Sequence, residues 1–413
     1  MARRWLIAGG GSGGHVTPAL ALGEAIARRG DEPLFVGSAR GLEARLVPAA
    51  GFDLELLASE QVMGRSPIGR LRGALSILRS VGAARRILGR FDPDAVVSVG
   101  GYAAMPAVLA ARLRGCPLFL VEPNAIPGRV NRLTARFARC VFVGFESTRR
   151  YLPRGTESIC VGVPLRSALE EAFAQRPAPR TPTRPLRLLV FGGSQGARQL
   201  NERVPSALAR LPRDAVEVFH QTGEADRAAV EQRYRELGLT ATVVAFEHDM
   251  PARYRWADLA ICRAGALTVA ELALAGMPAL LVPFPFAADD HQSANARALE
   301  AIGAAIRIEA RPLDVDGLAR SLEELVETPG RLVAMREAAG QLARRGAAER
   351  IIELCIERLA GGATPPTPAG DDRSPDSAID SAGSGSIPTG ATGNGSVGND
   401  SVGNKKETPC NPD

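Results

Sequence analysis

Lysine is almost missing from this chain of 413 residues. Only Lys405 and Lys406 occur, so nearly all of the basic charge is arginine, a matter of base composition rather than of chemistry. The net charge of +5 and the isoelectric point near 9.1 are too modest to mark a nucleic-acid binder, and no nucleic-acid partner is expected. Metal-ligand spacing is absent as well. The six cysteines (Cys116, Cys140, Cys160, Cys262, Cys355 and Cys410) lie far apart, with no C-x-x-C and no Cys/His pattern. Most sit in apolar stretches, as reduced core thiols do. No apolar run approaches the roughly 18 residues that a membrane span needs. The apolar part of "MARRWLIAGGG" is far shorter than a signal-peptide core. The chain is therefore expected in the cytoplasm.

What is present is alternation. Short apolar runs take turns with helical patterns, the mark of βαβ units and parallel sheets. The first half holds Trp5–Ala8, Pro33–Val36, Ala95–Val99, Pro117–Val121 and Cys140–Val143. The second half holds Leu186–Phe191, Ala215–Phe219, Thr242–Ala245, Leu259–Cys262 and Ala279–Val282. Between the halves, "AQRPAPRTPTRP" reads as an extended connector. The string G-G-S-x-G occurs at Gly10–Gly14 and again at Gly192–Gly196, each time after an apolar run and before a helix. The repeat points to an α/β protein of two Rossmann-like domains. We expect residues 1–168 as the first domain, 169–185 as linker, 186–346 as the second, 347–361 as a helix returning to the first, and 362–413 as a low-complexity disordered tail.

A glycine-rich strand-to-helix turn lets phosphate approach the backbone N–H groups at the positive end of the helix dipole. A nicotinamide cofactor is the weakest reading here. Its fingerprint needs an acid at the end of the second strand, where Val36, Gly37 and Ser38 stand. No cofactor is expected. His15 follows Gly14 at the helix start, where the dipole disfavours imidazolium and favours a neutral, proton-accepting ring. The plainer alternative is a histidine that only hydrogen-bonds the loop. Gly100, Gly101 and Tyr102 form a third loop, either a tight turn or a second phosphate contact. In "CRAGALTVAELALAG", Arg263–Ala266 is a small-residue turn whose helix can face a diphosphate, and Glu271, about a turn and a half in, is either an acceptor for a ribose diol or a helix-favouring surface glutamate. His291 and Gln292 open the next helix, where they either cap it or reach sugar hydroxyls. "DD" at 289–290 reads as a solvated loop, and no metal site is expected.

The stretches "GGGSGGHVTPALAL", "SVGGYAAMPAVLAA", "EPNAIPGRVNRL", "VGVPLR", "FGGSQGARQLN", "CRAGALTVAELALAGMPALLVPFP" and "DDHQSANA" occur in that order. Together they resemble the bacterial peptidoglycan glycosyltransferases that make lipid II from lipid I. The resemblance covers about residues 3–355 and implies a GT-B fold with an acceptor domain first and a donor domain second. It places donor-binding roles on Ser12, Gly13, Gly14, Asn124, Arg166, Ser194, Ala266, Leu267, Thr268, Val269, Ala270, Glu271 and Gln292, with a backbone uracil contact at Glu247. Gly100, Gly101, Tyr102, Glu122 and Asn201 are the acceptor-side candidates. "VEPNAIPG" departs from the family's commoner form, with Val121 in place of His and Pro123 in place of Gln.

The implied reaction is inverting transfer of N-acetylglucosamine from UDP-N-acetylglucosamine to the 4-hydroxyl of undecaprenyl-diphosphate-linked N-acetylmuramyl-pentapeptide. In it His15 is the base, and the Ser194 loop, the helix near Ala266 and Arg166 carry the leaving diphosphate. For Arg166 a structural ion pair is the alternative. Residues 61–91 hold seven arginines and no acid. With Leu71, Leu75, Leu78, Ile87 and Leu88 they read either as a cationic amphipathic patch for an anionic inner leaflet or as helices whose apolar side is core. Peripheral association with the inner face of the plasma membrane is expected, with other wall-synthesis and division proteins as candidate partners. The rival readings are a UDP-N-acetylglucosamine 2-epimerase, a glycolipid synthase and a non-catalytic membrane-associated scaffold.

Overall fold

The computed structural model describes residues 2–57, 67–175, 181–193, 196–309 and 312–361, with side chains left aside at 67–77. It contains two parallel sheets. The first has seven strands: β1 (Arg4–Gly9), β2 (Glu32–Ser38), β3 (Leu54–Leu57), β4 (Ala95–Gly100), β5 (Leu118–Glu122), β6 (Cys140–Val143) and β7 (Ser158–Cys160). The second has six: β8 (Leu186–Phe191), β9 (Val216–Gln221), β10 (Ala241–Val244), β11 (Leu259–Cys262), β12 (Ala279–Leu281) and β13 (Ala305–Arg307).

The strand orders are β3-β2-β1-β4-β5-β6-β7 and β10-β9-β8-β11-β12-β13. In both, the order reverses beside the first strand, between β1 and β4 and between β8 and β11. A crevice therefore opens beyond the carboxyl ends of those strands. The two glycine loops follow β1 and β8, so each lies at its sheet's switch point.

Every central strand is covered by helices on both faces, which is why β1, β4, β5, β6, β8 and β11 read as unbroken apolar runs. The runs found in the sequence correspond to ten strands. The three it does not mark, β3, β7 and β13, are edge strands of three or four residues, mostly half-exposed, with no continuous apolar side to see. Helix Ala347–Ala360 packs on helix Gly13–Arg28, and Ile351, Ile352 and Cys355 are buried with Trp5, Ile7 and Val16 of the first lobe. Helix Pro67–Phe91 divides between the two readings of residues 61–91, with Leu71 and Leu75 outside the described side chains. Ile87 and Leu88 are core residues packed under the first sheet, whereas Leu78 is 67% exposed. Cys140, Cys262 and Cys355 are buried free thiols and Cys116 and Cys160 are half-buried, while Cys410 lies outside the described residues.

Candidate active site

A cleft of about 1250 Å³ lies where the two switch points meet. The first lobe lines it with Gly11 to His15 and with Asn124 and Ile126 to Arg129. The second contributes the loop after β8, Gln221, Phe246, Glu247, Arg263, the start of helix Ala266–Ala275, and Phe284 to Gln292.

His15 stands in the first turn of helix Gly13–Arg28. Ser12 occupies the N-cap with extended backbone, yet its hydroxyl does not cap the helix; it lies 3.0 Å from His15 Nδ1. The ring is thus held by the residue three before it. Burial, reinforced by the neighbouring charge of His291 and opposed by Glu43, takes the His15 pKa down to about 4. The imidazole is neutral at physiological pH, the form that can accept a proton.

Glu43 was not singled out by any motif. Its side chain is buried beneath the first glycine loop, with Oε2 accepting the Gly11 N–H at 2.8 Å. Oε1 accepts both the N–H and the hydroxyl of Ser38, each at 2.8 Å. The Gly11 N–H is therefore already bound to an internal carboxylate and is not offered to a ligand phosphate.

On the opposite wall stands Arg263, which the sequence placed in a small-residue turn without giving its charge a role. It is 9% exposed, and its guanidinium donates to Gln199 Oε1 and to the carbonyls of Val282 and Pro283, at 3.1–3.2 Å. It also lies 5.5 Å from the centre of the Phe284 ring. Among the described residues no carboxylate is in ion-pair contact with it, so its charge is available to an anion in the cleft. Glu271 accepts the Tyr254 hydroxyl at 2.8 Å, and burial lifts its pKa to about 7 against the lowering effect of that bond. Gln292 Oε1 accepts the N–H groups of Ala264 and Phe284, and among the described residues its NH₂ group has no acceptor. The Glu247 side chain is tied to Arg253, and its backbone N–H donates to Gln221 Oε1.

The cleft gathers Ser12, Gly13, Gly14, His15, Asn124, Glu247, Ala266, Leu267, Thr268, Glu271, His291 and Gln292. The other candidates fall elsewhere. Val269 faces the core and Ala270 packs against it. Arg166 forms an ion pair with Glu24 and is not part of the cleft lining. Gly100 and Gly101 have φ of +91° and +82°, which brings their loop against Gly10 and His15 rather than onto the cleft lining, and the Tyr102 ring packs on Gly11. Ser194 lies outside the described residues.

Two acceptor-side candidates need correction. Glu122 is buried and receives hydrogen bonds from the N–H groups of Asn124 and Gly128 and from the side chains of Asn124 and Asn131. It organises the loop after β5 from within. Asn201 is buried in the second lobe, bonded to Thr222 O, Asp226 and His220. Neither side chain reaches the cleft.

Residues 5–143 match the model of the glycosyltransferase family 28 N-terminal domain, and residues 187–351 that of its C-terminal domain. The chain is 46% identical over 376 residues to the UDP-N-acetylglucosamine–N-acetylmuramyl-(pentapeptide) pyrophosphoryl-undecaprenol N-acetylglucosamine transferase of Anaeromyxobacter sp. (strain Fw109-5), covering 90% of this chain and 97% of that one. It is 44% identical to the protein of the same name from Methylococcus capsulatus (strain ATCC 33009 / NCIMB 11132 / Bath), over 86% of this chain and 99% of that one. Among solved structures it is similar to the crystal structure of Acinetobacter baumannii MurG, with a TM-score of 0.72 and 32% identity over 87% of this chain and all of that one. The UDP-GlcNAc 2-epimerase of Neisseria meningitidis is also similar, with a TM-score of 0.59 at 13% identity over 86% of this chain and all of that one; that likeness concerns the fold alone.

Proposed function

The chain belongs to glycosyltransferase family 28, and from that premise we infer how its GT-B cleft moves N-acetylglucosamine from UDP-N-acetylglucosamine to undecaprenyl-diphosphate-linked N-acetylmuramyl-pentapeptide. This is the step from lipid I to lipid II in peptidoglycan synthesis. The observation that carries the mechanism is a neutral histidine on one wall of the cleft and, on the other, a buried guanidinium that no carboxylate among the described residues neutralises.

Inverting transfer is one displacement at the anomeric carbon, through a transition state of oxocarbenium character. With Nδ1–H donating to Ser12 Oγ, His15 Nε2 carries the lone pair. It takes the proton of the muramyl 4-hydroxyl as that oxygen attacks. The bond to the UDP oxygen breaks, and its electrons leave on the diphosphate. Arg263, the second glycine loop and the N-terminus of helix Ala266–Ala275 receive that charge in a site from which substrate excludes water. Glu271 holds the ribose diol and the Gln292 NH₂ group a sugar hydroxyl. The backbone at Glu247 meets the uracil. In this reading residues 1–168 bind acceptor and 186–346 bind donor, with helix Ala347–Ala360 tying the end of the chain back to the acceptor lobe.

No helix among the described residues is long and apolar enough to cross a membrane. The acceptor's lipid is met instead by the first lobe. Leu78 and Leu113 are exposed, flanked by exposed Arg79, Arg85, Arg86, Arg112 and Arg114 on two helices packed together. Such a face suits an anionic leaflet. Labelled UDP-N-acetylglucosamine with a lipid I analogue tests the reaction. Label passes to the acceptor, and His15→Ala lowers kcat by about 10²–10⁴-fold. UDP release with no acceptor present would instead indicate an epimerase.

A further inference from the structure

We propose that Glu43 is a positioning residue for the transfer step: its carboxylate fills the turn of the first glycine loop from inside and holds Ser12 and His15 in their working geometry. The inference rests on the transfer reaction set out above.

Three glycines, Gly10 from the first loop, Gly37 from the end of β2 and Gly41 from the turn after it, converge on this one side chain. A Cβ on Gly10, Gly37 or Gly41 would fall within contact distance of the Glu43 carboxylate or its stem. The hollow they leave fits a carboxylate, which makes three hydrogen bonds there. One donor is the Gly11 N–H, next to Ser12, and Ser12 in turn holds His15 Nδ1 and starts the helix through its carbonyl. The chain of contact from Glu43 to the base is thus a single turn of backbone. Among the described residues no cation pairs with Glu43, so its negative field reaches the loop unneutralised. The glycine pattern that looks like a phosphate cradle is, at Gly11, a cradle for the protein's own anion. The Gly11 N–H is therefore not among the donors left to a ligand phosphate.

The field has a direction. Glu43 raises the proton affinity of His15, while burial and His291 lower it. The other charged or titratable groups near this part of the cleft are Tyr102 against Gly11, and Arg129 paired with Asp289. Removing the Glu43 charge makes His15 a weaker base and frees the loop.

The test compares wild type, Glu43→Gln and Gly41→Ala in the full-length protein. In Gly41→Ala the new methyl displaces the carboxylate without removing it from the chain. Both variants are expected to lose at least about 10-fold in kcat, part of what a positioned base supplies. Their KM for UDP-N-acetylglucosamine stays within about threefold, because the uridine and sugar contacts assigned to Glu247, Glu271 and Gln292 lie on the opposite wall and are not touched by Glu43. The chain has four histidines, so NMR of labelled histidine can follow His15 directly. Its titration midpoint is expected to fall in Glu43→Gln. An unchanged kcat and an unmoved midpoint in both variants would overturn the proposal. So would a loss that tracks donor KM, or failure of both to fold, since a purely structural role would then suffice. Wild-type protein that transfers no sugar would instead sink the reaction assigned above.

Discussion

Asn295 of the second lobe bonds Asn124 of the first across the base of the cleft. Its Nδ2 lies 3.2 Å from Asn124 Oδ1, and the same amide donates to Ala264 O at 3.1 Å. Its Oδ1 accepts the Ala125 N–H at 2.8 Å. One fully buried side chain therefore orients a cleft residue of one lobe from a helix of the other. Asn295→Ala leaves a buried N–H without its acceptor, which costs about 1–3 kcal/mol. Equilibrium unfolding should register that loss, and KM for the donor should rise as Asn124 loses its partner. Asn295→Asp should be worse in KM, because it sets an acceptor against Asn124 Oδ1.

Glu271 sets a pH dependence. Its pKa is about 7 in the folded protein against an ordinary 4.5. Between those values the folded state keeps a proton that the unfolded chain has released. Stability contributed at this site therefore falls as pH rises from about 4.5 to about 7. Glu271→Gln should raise the melting temperature of the ligand-free protein at pH 8. The same variant should weaken UDP-N-acetylglucosamine binding at least about tenfold, since it replaces an ionised acceptor of the ribose diol. Calorimetry on both counts checks this; a variant that loses stability at pH 8 would contradict it.

Arg263 and Arg166 separate by position. Arg263→Ala removes the charge aimed into the cleft, and kcat is expected to fall about 10²–10³-fold, as for loss of a fixed donor to a developing anion. Arg263→Lys should recover only part of it, because an ammonium on a different stem does not reproduce the Nη1 contacts with Val282, Pro283 and Gln199 while keeping the rest of a delocalised guanidinium for the anion. Arg166→Ala breaks a half-exposed pair with Glu24 outside the cleft lining and should cost kcat much less. Steady-state kinetics at saturating donor distinguishes the two.

The membrane face is open to a sedimentation assay. Replacing Leu78, Arg85 and Arg86 with glutamate should release the protein from vesicles rich in anionic lipid, each arginine contributing about 1 kcal/mol. Turnover of a soluble acceptor analogue should not change. Equal binding of the variant to anionic vesicles would rule out this face.

Both glycine loops and ten strands were legible in the residues, because a central strand buried on two faces must be apolar throughout, the edge strand β10 still carries an apolar run, and a tight strand-to-helix turn must be small. Edge strands β3, β7 and β13 carry neither signature. His15 and Gln292 stand out in the sequence by their places at helix starts, Glu271 by its place about a turn and a half into its helix, and Ser12 through the family resemblance; all four line the cleft. Glu122 and Asn201 looked the same in the sequence, yet their side chains turn inward and are consumed by neighbouring hydrogen bonds.

By itself, then, the order of residues determined the two-lobed parallel architecture, the location of its loops, and the family to which they belong. Those properties follow from periodicity and turn chemistry, which act over a few residues. The tertiary structure alone decided that the first loop is filled by Glu43, 32 residues on from Gly11, and that Arg263 rather than Arg166 faces the cleft. Which polar group answers a buried N–H or charge is a contest among all groups the fold brings within about 3 Å, and separation along the chain does not reveal that distance.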